Sequence, residues 1–102
     1  MQDLPAKYLL TPEAELDIEG IWRYTFVEWG VKQANHYTDE LIASFQELAK
    51  HPQRGRRADC LRKGYRCSRT GRHVIFYQTT DYGIAVIRIL HERMLFVRHL
   101  LK

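Results

Sequence analysis

Midway along the chain the spacing of apolar residues changes period, and that change leaves few folds open. From Thr11 to Lys50 apolar side chains recur every three to four positions, whereas from Tyr65 onward they alternate every second position. The first pattern suits helices with one buried stripe, the second suits strands that bury one face of a sheet. Thr11 is a natural N-cap and Pro12 fits the first helical position, where its missing N–H costs nothing. Glu13, Glu15 and Asp17 then lie near the positive end of the helix dipole. Ala14, Ile18, Ile21, Trp22, Thr25 and Trp29 form a stripe up to Gly30; Ala34, Tyr37, Leu41, Phe45 and Leu48 resume it until His51-Pro52. Two helices joined by one glycine make an antiparallel hairpin.

Before the hairpin, Tyr8 to Leu10 read as a short strand. After it, Pro52 to Asp59 read as a basic polar loop. Strands are then expected over Arg66 to Arg69, Arg72 to Thr79 and Ile84 to Leu90, separated by turns at Thr70-Gly71 and Asp81 to Gly83. Alternation in the last strand puts Ala85, Ile87 and Ile89 on the core face and Ile84, Val86, Arg88 and Leu90 on the opposite one. Met94, Val97 and Leu101 are spaced for a short terminal helix. The expectation is a single α+β domain over residues 1–102, β-α-α-β-β-β, with the helical hairpin on one face of an antiparallel sheet and Arg88 on the partly open other face.

A chain of 102 residues, 45% hydrophobic and 27% charged, builds one core and leaves no room to enclose a large cofactor. No cofactor is expected. No apolar run reaches the length of a membrane span, and Asp3 and Pro5 do not open a signal peptide, so a cytoplasmic protein without membrane contact is expected. Cys60 and Cys67 lack the spacing of a zinc motif and read as free thiols. Gly residues at 20, 30, 55, 64, 71 and 83 make neither GxGxxG nor a Walker loop, which excludes nucleotide hydrolysis. The five histidines form no HxxxH or HExxH pair, which argues against a metal site, and neither Ser44 nor Ser68 sits in a nucleophile elbow.

Charge is divided unevenly. Residues 1–49 hold nine acids and three bases, a balance of −6, and residues 50–102 hold thirteen bases and three acids, a balance of +10. The second half therefore suits an acidic partner, nucleic acid or an acidic protein segment, unless the two halves neutralise each other across the fold. Metal-free RNA cleavage needs a base, an acid and cations at the phosphorane; Glu47, His91, Arg66, Arg72, Arg88 and Arg93 are the residues that could supply them. Basic residues on strands more often form a partner-binding face. Trp22 and Trp29 belong to the apolar stripe and read as core or hairpin-interface residues, leaving Tyr24 free to contact a partner.

The ordered set of Leu10-Thr11-Pro12-Glu13-Ala14, Asp17 to Tyr24, Trp29 to Ala34, Tyr37, His51-Pro52 with Gly55-Arg56, Gly71 to Tyr77 and Ile87 to Met94 resembles the ParE toxins. The resemblance covers nearly the whole chain. It implies the RelE/ParE fold and the toxin of a type II toxin-antitoxin pair, an inhibitor of DNA gyrase held inactive by a ParD-like antitoxin. Related RelE-like members cut mRNA on the ribosome and end with a His or Arg and a Tyr that act on the phosphate. His91 and Arg93 are the nearest matches here, and no Tyr follows Tyr82, which favours the ParE reading. Leu95, Phe96 and Val97 follow Arg93-Met94 where an acid is common in ParE. The expectation is a non-enzymatic toxin with Arg66, Arg72, His73, Arg88, His91 and Arg93 as its partner-binding surface; direct contact with nucleic acid stays open. The alternative is a RelE-like mRNA endonuclease with His91 as acid and Arg66 and Arg88 on the phosphate. A third reading is a toxin fold that has lost toxicity and serves only in a repressor complex.

Overall fold

A computed structural model describes residues 6–59 and 62–94. Strand β1 (Lys7–Leu10) leads into helix α1 (Pro12–Trp29), which joins helix α2 (Val31–Lys50) at Gly30. Strands β2 (Arg56–Arg57), β3 (Arg66–Thr70), β4 (His73–Thr79) and β5 (Gly83–His91) follow, and Glu92–Met94 form one helical turn, α3. The sheet order is β1-β5-β4-β3-β2, antiparallel except for the parallel pair β1 and β5. No helix among the described residues is long and apolar enough to cross a membrane.

Local chemistry accounts for the hairpin. The Thr11 hydroxyl accepts from the Ala14 N–H at 3.1 Å, satisfying one of the free donors at the start of α1. Gly30 stops α1 because its φ of 93° and ψ of 172° lie outside the range of other residues. Ala14, Ile21 and Thr25 of α1 and Ala34, Leu41, Phe45, Leu48 and Ala49 of α2 are buried. They meet Ile75, Tyr77, Ile84, Val86 and Ile89 of the sheet in the main core. Fully burying side chains such as Leu41, Phe45 and Ile75 contributes about 1.5–3 kcal/mol each.

Several expectations are corrected. Residues 52–59 are not wholly loop, since Arg56 and Arg57 pair with Cys67 and Arg66 as the outermost strand. The faces of β5 are not those of strict alternation. Phe76 pairs with Arg88 and Tyr77 with Val86, so Ile87 is left over as a bulge. Ile84 and Val86 before the bulge and Ile89 after it therefore all face the helices. The second face of the sheet is not open either: Val74, Phe76 and Leu90 are buried there with Ala58, against Tyr65, Cys67 and Met94. Trp29 is no core residue, being 72% exposed, while Trp22 is half-buried and stacks on Phe26 at 5.2 Å. Cys67 is a free thiol; Cys60 and most of the expected terminal helix, including Val97 and Leu101, lie outside the described residues.

Candidate functional site

A cleft of about 760 Å³ opens between one side of α1 and the end of the sheet where β4 begins and β5 finishes. Helix α1 lines it with Leu16, Gly20, Tyr24 and Trp29, and α2 with Gln33 and Tyr37. Leu16, Tyr24 and Trp29 are more than half exposed, so large apolar surfaces stand at the cleft without a partner. The sheet side carries Arg72, His73, Ile89, Leu90 and His91, and Met94 borders it.

Tyr37 organises the polar end. Its hydroxyl is 2.7 Å from His73 Nδ1, donates to the Thr70 carbonyl at 3.2 Å, and accepts from the Arg72 N–H at 3.2 Å. Three neighbours on one hydroxyl fix the turn between β3 and β4. Gly71 at the tip has φ 58°, and a Cβ there would meet the Tyr37 hydroxyl at 2.7 Å, so the turn closes onto Tyr37 only as glycine. His73 stands directly opposite His91 across the strands, their rings edge to face at 5.3 Å. Burial lowers the His73 pKa to about 4, and the neighbouring His91 adds to the effect. His73 is therefore a neutral ring at physiological pH. His91 Nδ1 accepts the Arg93 N–H at 3.1 Å, which places the proton of the neutral imidazole on Nε2. Glu92 holds Arg69 at 2.9 Å and Arg72 at 3.4 Å as a cationic rim.

Of the six sequence candidates, Arg72, His73 and His91 line the cleft together. Arg93 adjoins it in α3, exposed. The other two are not among the lining residues: Arg66 is remote, and Arg88 borders the cleft only through its partner Asp17. Arg66 pairs with Tyr77 at the opposite end of β4 and donates to the Gly55 carbonyl at 2.8 Å; four residues of strand, about 13 Å, separate that position from His73. Arg88 does not project from an open sheet face. Its Nε and Nη2 donate to the two carboxylate oxygens of Asp17 on α1 at 2.8 and 3.0 Å, which raises its pKa further. Asp17 also accepts the Ile89 N–H at 2.9 Å, capping β5 where β1 no longer covers its edge. Glu47 is on α2, bonded to Arg54 at 3.1 Å. Of the groups needed for phosphate cleavage, Arg66 is thus not brought to His91, and Arg88 is engaged by Asp17.

Asp17, Tyr37 and Trp29 are cleft residues too; charge placed the first at the helix dipole and periodicity the other two on the apolar stripes, but neither put them at a site. A signal existed for Asp17: it sits three residues after Ala14 and four before Ile21, a charged residue beside the buried stripe. Such a carboxylate needs a partner. Among the described residues no group of three or more His, Cys, Asp or Glu could hold a metal ion.

Residues 8–96 match the family model for the ParE toxin of the type II toxin-antitoxin system, parDE. Toxin ParE1 of Mycobacterium tuberculosis is 42% identical over 92 residues, 89% of this chain and 94% of that protein. Toxin ParE1 of Caulobacter vibrioides is 40% identical over 87 residues, covering 85% of this chain and 90% of that protein. Among solved structures, the chromosomal ParDE system from P. aeruginosa superimposes with a TM-score of 0.72 at 16% identity, over 85% of this chain and 96% of that one. A chain of the RelBE2 toxin-antitoxin complex from Mycobacterium tuberculosis gives 0.58 at 18% identity, over 86% and 99%. The last two comparisons establish the RelE/ParE fold, and the family model with the sequence relatives establishes more: this chain belongs to the ParE toxins of type II toxin-antitoxin systems.

Proposed function

We propose that this toxin acts without a reaction of its own, by docking on DNA gyrase, and that a ParD-like antitoxin neutralises it by filling the cleft between α1 and the β4–β5 end. One observation carries the proposal: the cleft combines exposed Leu16, Tyr24 and Trp29 with a cationic rim, while Arg66 stands toward the other end of β4 from His73 and the Arg88 guanidinium is taken up by Asp17. Apolar anchors beside arginines suit a protein partner. An acidic, partly disordered antitoxin segment would order on this surface, with its carboxylates on Arg72, Arg69 and Arg93 and its apolar residues on α1. Solved neighbours from toxin-antitoxin systems support an antitoxin partner of this kind.

The test combines two assays. Gyrase supercoiling is measured with excess purified toxin, with and without antitoxin, and translated messages are mapped by primer extension. Inhibition of supercoiling that antitoxin relieves and intact messages are expected. Codon-phased cuts that disappear in His91→Ala would instead make the protein an mRNA endonuclease, and unimpaired supercoiling would remove gyrase as the target.

A further inference from the structure

On the wall that α1 presents to the cleft, one position carries no side chain. Gly20 lies in the interior of the 18-residue helix, is exposed, and lines the cleft together with Leu16 and Tyr24. A glycine in a helix interior is less stable than an alanine, so its presence needs a reason. Four of the six glycines have a positive φ, and Gly55 is pressed against Tyr77. Gly20 has neither reason: a Cβ built on it would meet nothing within 4 Å among the described residues. Residues 16, 20 and 24 form one row along the helix, and four residues of rise put Gly20 about 6 Å from each flanking position. Leu16 is 66% exposed and Tyr24 67%, so the row is two apolar ridges with a notch of bare backbone between them.

We propose that Gly20 is a specificity-determining position of the antitoxin interface: an amphipathic helix of the antitoxin crosses α1 there and seats one large apolar side chain in the notch. This rests on the antitoxin filling the cleft, as proposed above, and adds the form of the segment and the point at which partners are told apart. A helix suits the wall because its backbone groups bond internally. An extended segment would need backbone partners, yet those of α1 are spent within the helix and the Ile89 N–H at the sheet edge is held by Asp17. Ridges four residues apart admit the ridge of a second helix between them, and the missing side chain lets the two backbones approach closely. Arg72 and Arg93 at the cleft suit the acidic flank of such a helix. Any side chain at position 20 would meet the inserted residue, so the choice of partner is made by a steric clash.

Isothermal titration of the full chain with the ParD-like antitoxin of its own locus tests the proposal. Gly20→Ala should weaken binding about tenfold and Gly20→Leu about a hundredfold, with the melting temperature of the free toxin unchanged or raised. Glu19→Leu puts the same side chain on exposed α1 surface outside the cleft lining and should bind as wild type does. Antitoxin variants with single apolar residues cut to alanine supply the complementary change: one of them should lose affinity for the wild-type toxin and regain it for Gly20→Leu. Tyr24→Ala and Trp29→Ala separate this proposal from the reading beneath it. If they weaken binding and Gly20→Leu does not, the antitoxin fills the cleft and the notch goes unused; if none of the three matters, the cleft is not the antitoxin site. The proposal is also overturned if no truncation restores binding to Gly20→Leu, or if Gly20→Leu lowers the melting temperature of the free toxin, because the notch is then filled from within the molecule.

Discussion

Asp17 shows how much one carboxylate can hold. It receives both nitrogens of Arg88 and the backbone N–H of Ile89, joining the first helix to the last strand where β1 gives out. Asp17→Ala leaves a half-buried guanidinium and an edge N–H without partners, and should lower unfolding stability by about 2–3 kcal/mol in urea titrations. Asp17→Asn keeps an acceptor for Ile89 and should lose less. His73 makes stability depend on pH. Its pKa is lowered from 6.5 to about 4, so between those values the unfolded chain binds a proton that the folded chain refuses. The contribution is full above pH 6.5 and is lost as pH falls toward 4, on the order of 1–2 kcal/mol once the partial exposure of the ring is discounted. Urea midpoints between pH 4 and 7 should slope less steeply in His73→Gln than in wild type. Neither partnership was visible in sequence. Arg88 and Asp17 are 71 positions apart, and a lone arginine in an apolar strand says only that it must find an anion.

Where an element begins and ends was largely legible, because caps and breakers act locally. Thr11-Pro12, Gly30 and His51-Pro52 bound both helices as expected, and the turns at Gly71 and Gly83 separate three strands. Two features escaped. Arg56–Arg57 is a strand of exposed arginines with no alternation to betray it, held by pairing with β3. The bulge at Ile87 leaves the hydrophobic run unbroken, so counting by twos assigned Ile84 and Val86 to the wrong face. Trp29 continues the stripe of α1 but sits on its last residue at the hairpin tip, where it stands exposed. The hairpin joint gives a paired prediction. A Cβ on Gly30 would touch nothing, yet φ of 93° strains any other residue, so Gly30→Ala should cost about 1–2 kcal/mol in thermal melts. Gly20→Ala, mid-helix and equally uncrowded, should add about 0.5–1 kcal/mol.

At the scale of the whole molecule the two charge balances, −6 and +10, do not simply cancel. Asp17 with Arg88 and Glu47 with Arg54 join the halves, while Arg56, Arg62, Lys63 and Arg93 remain exposed cations. That asymmetry was readable from composition, but its division between a cleft rim and the distant β2–β3 edge depends on sheet order, which no local pattern encodes. Sheet order has one more effect. β5, the last strand among the described residues, lies between β1 and β4, so the helices have no complete floor until residue 91 is in place. A growing polypeptide cannot acquire this architecture piecemeal: the sheet closes only when β5 slots into its middle.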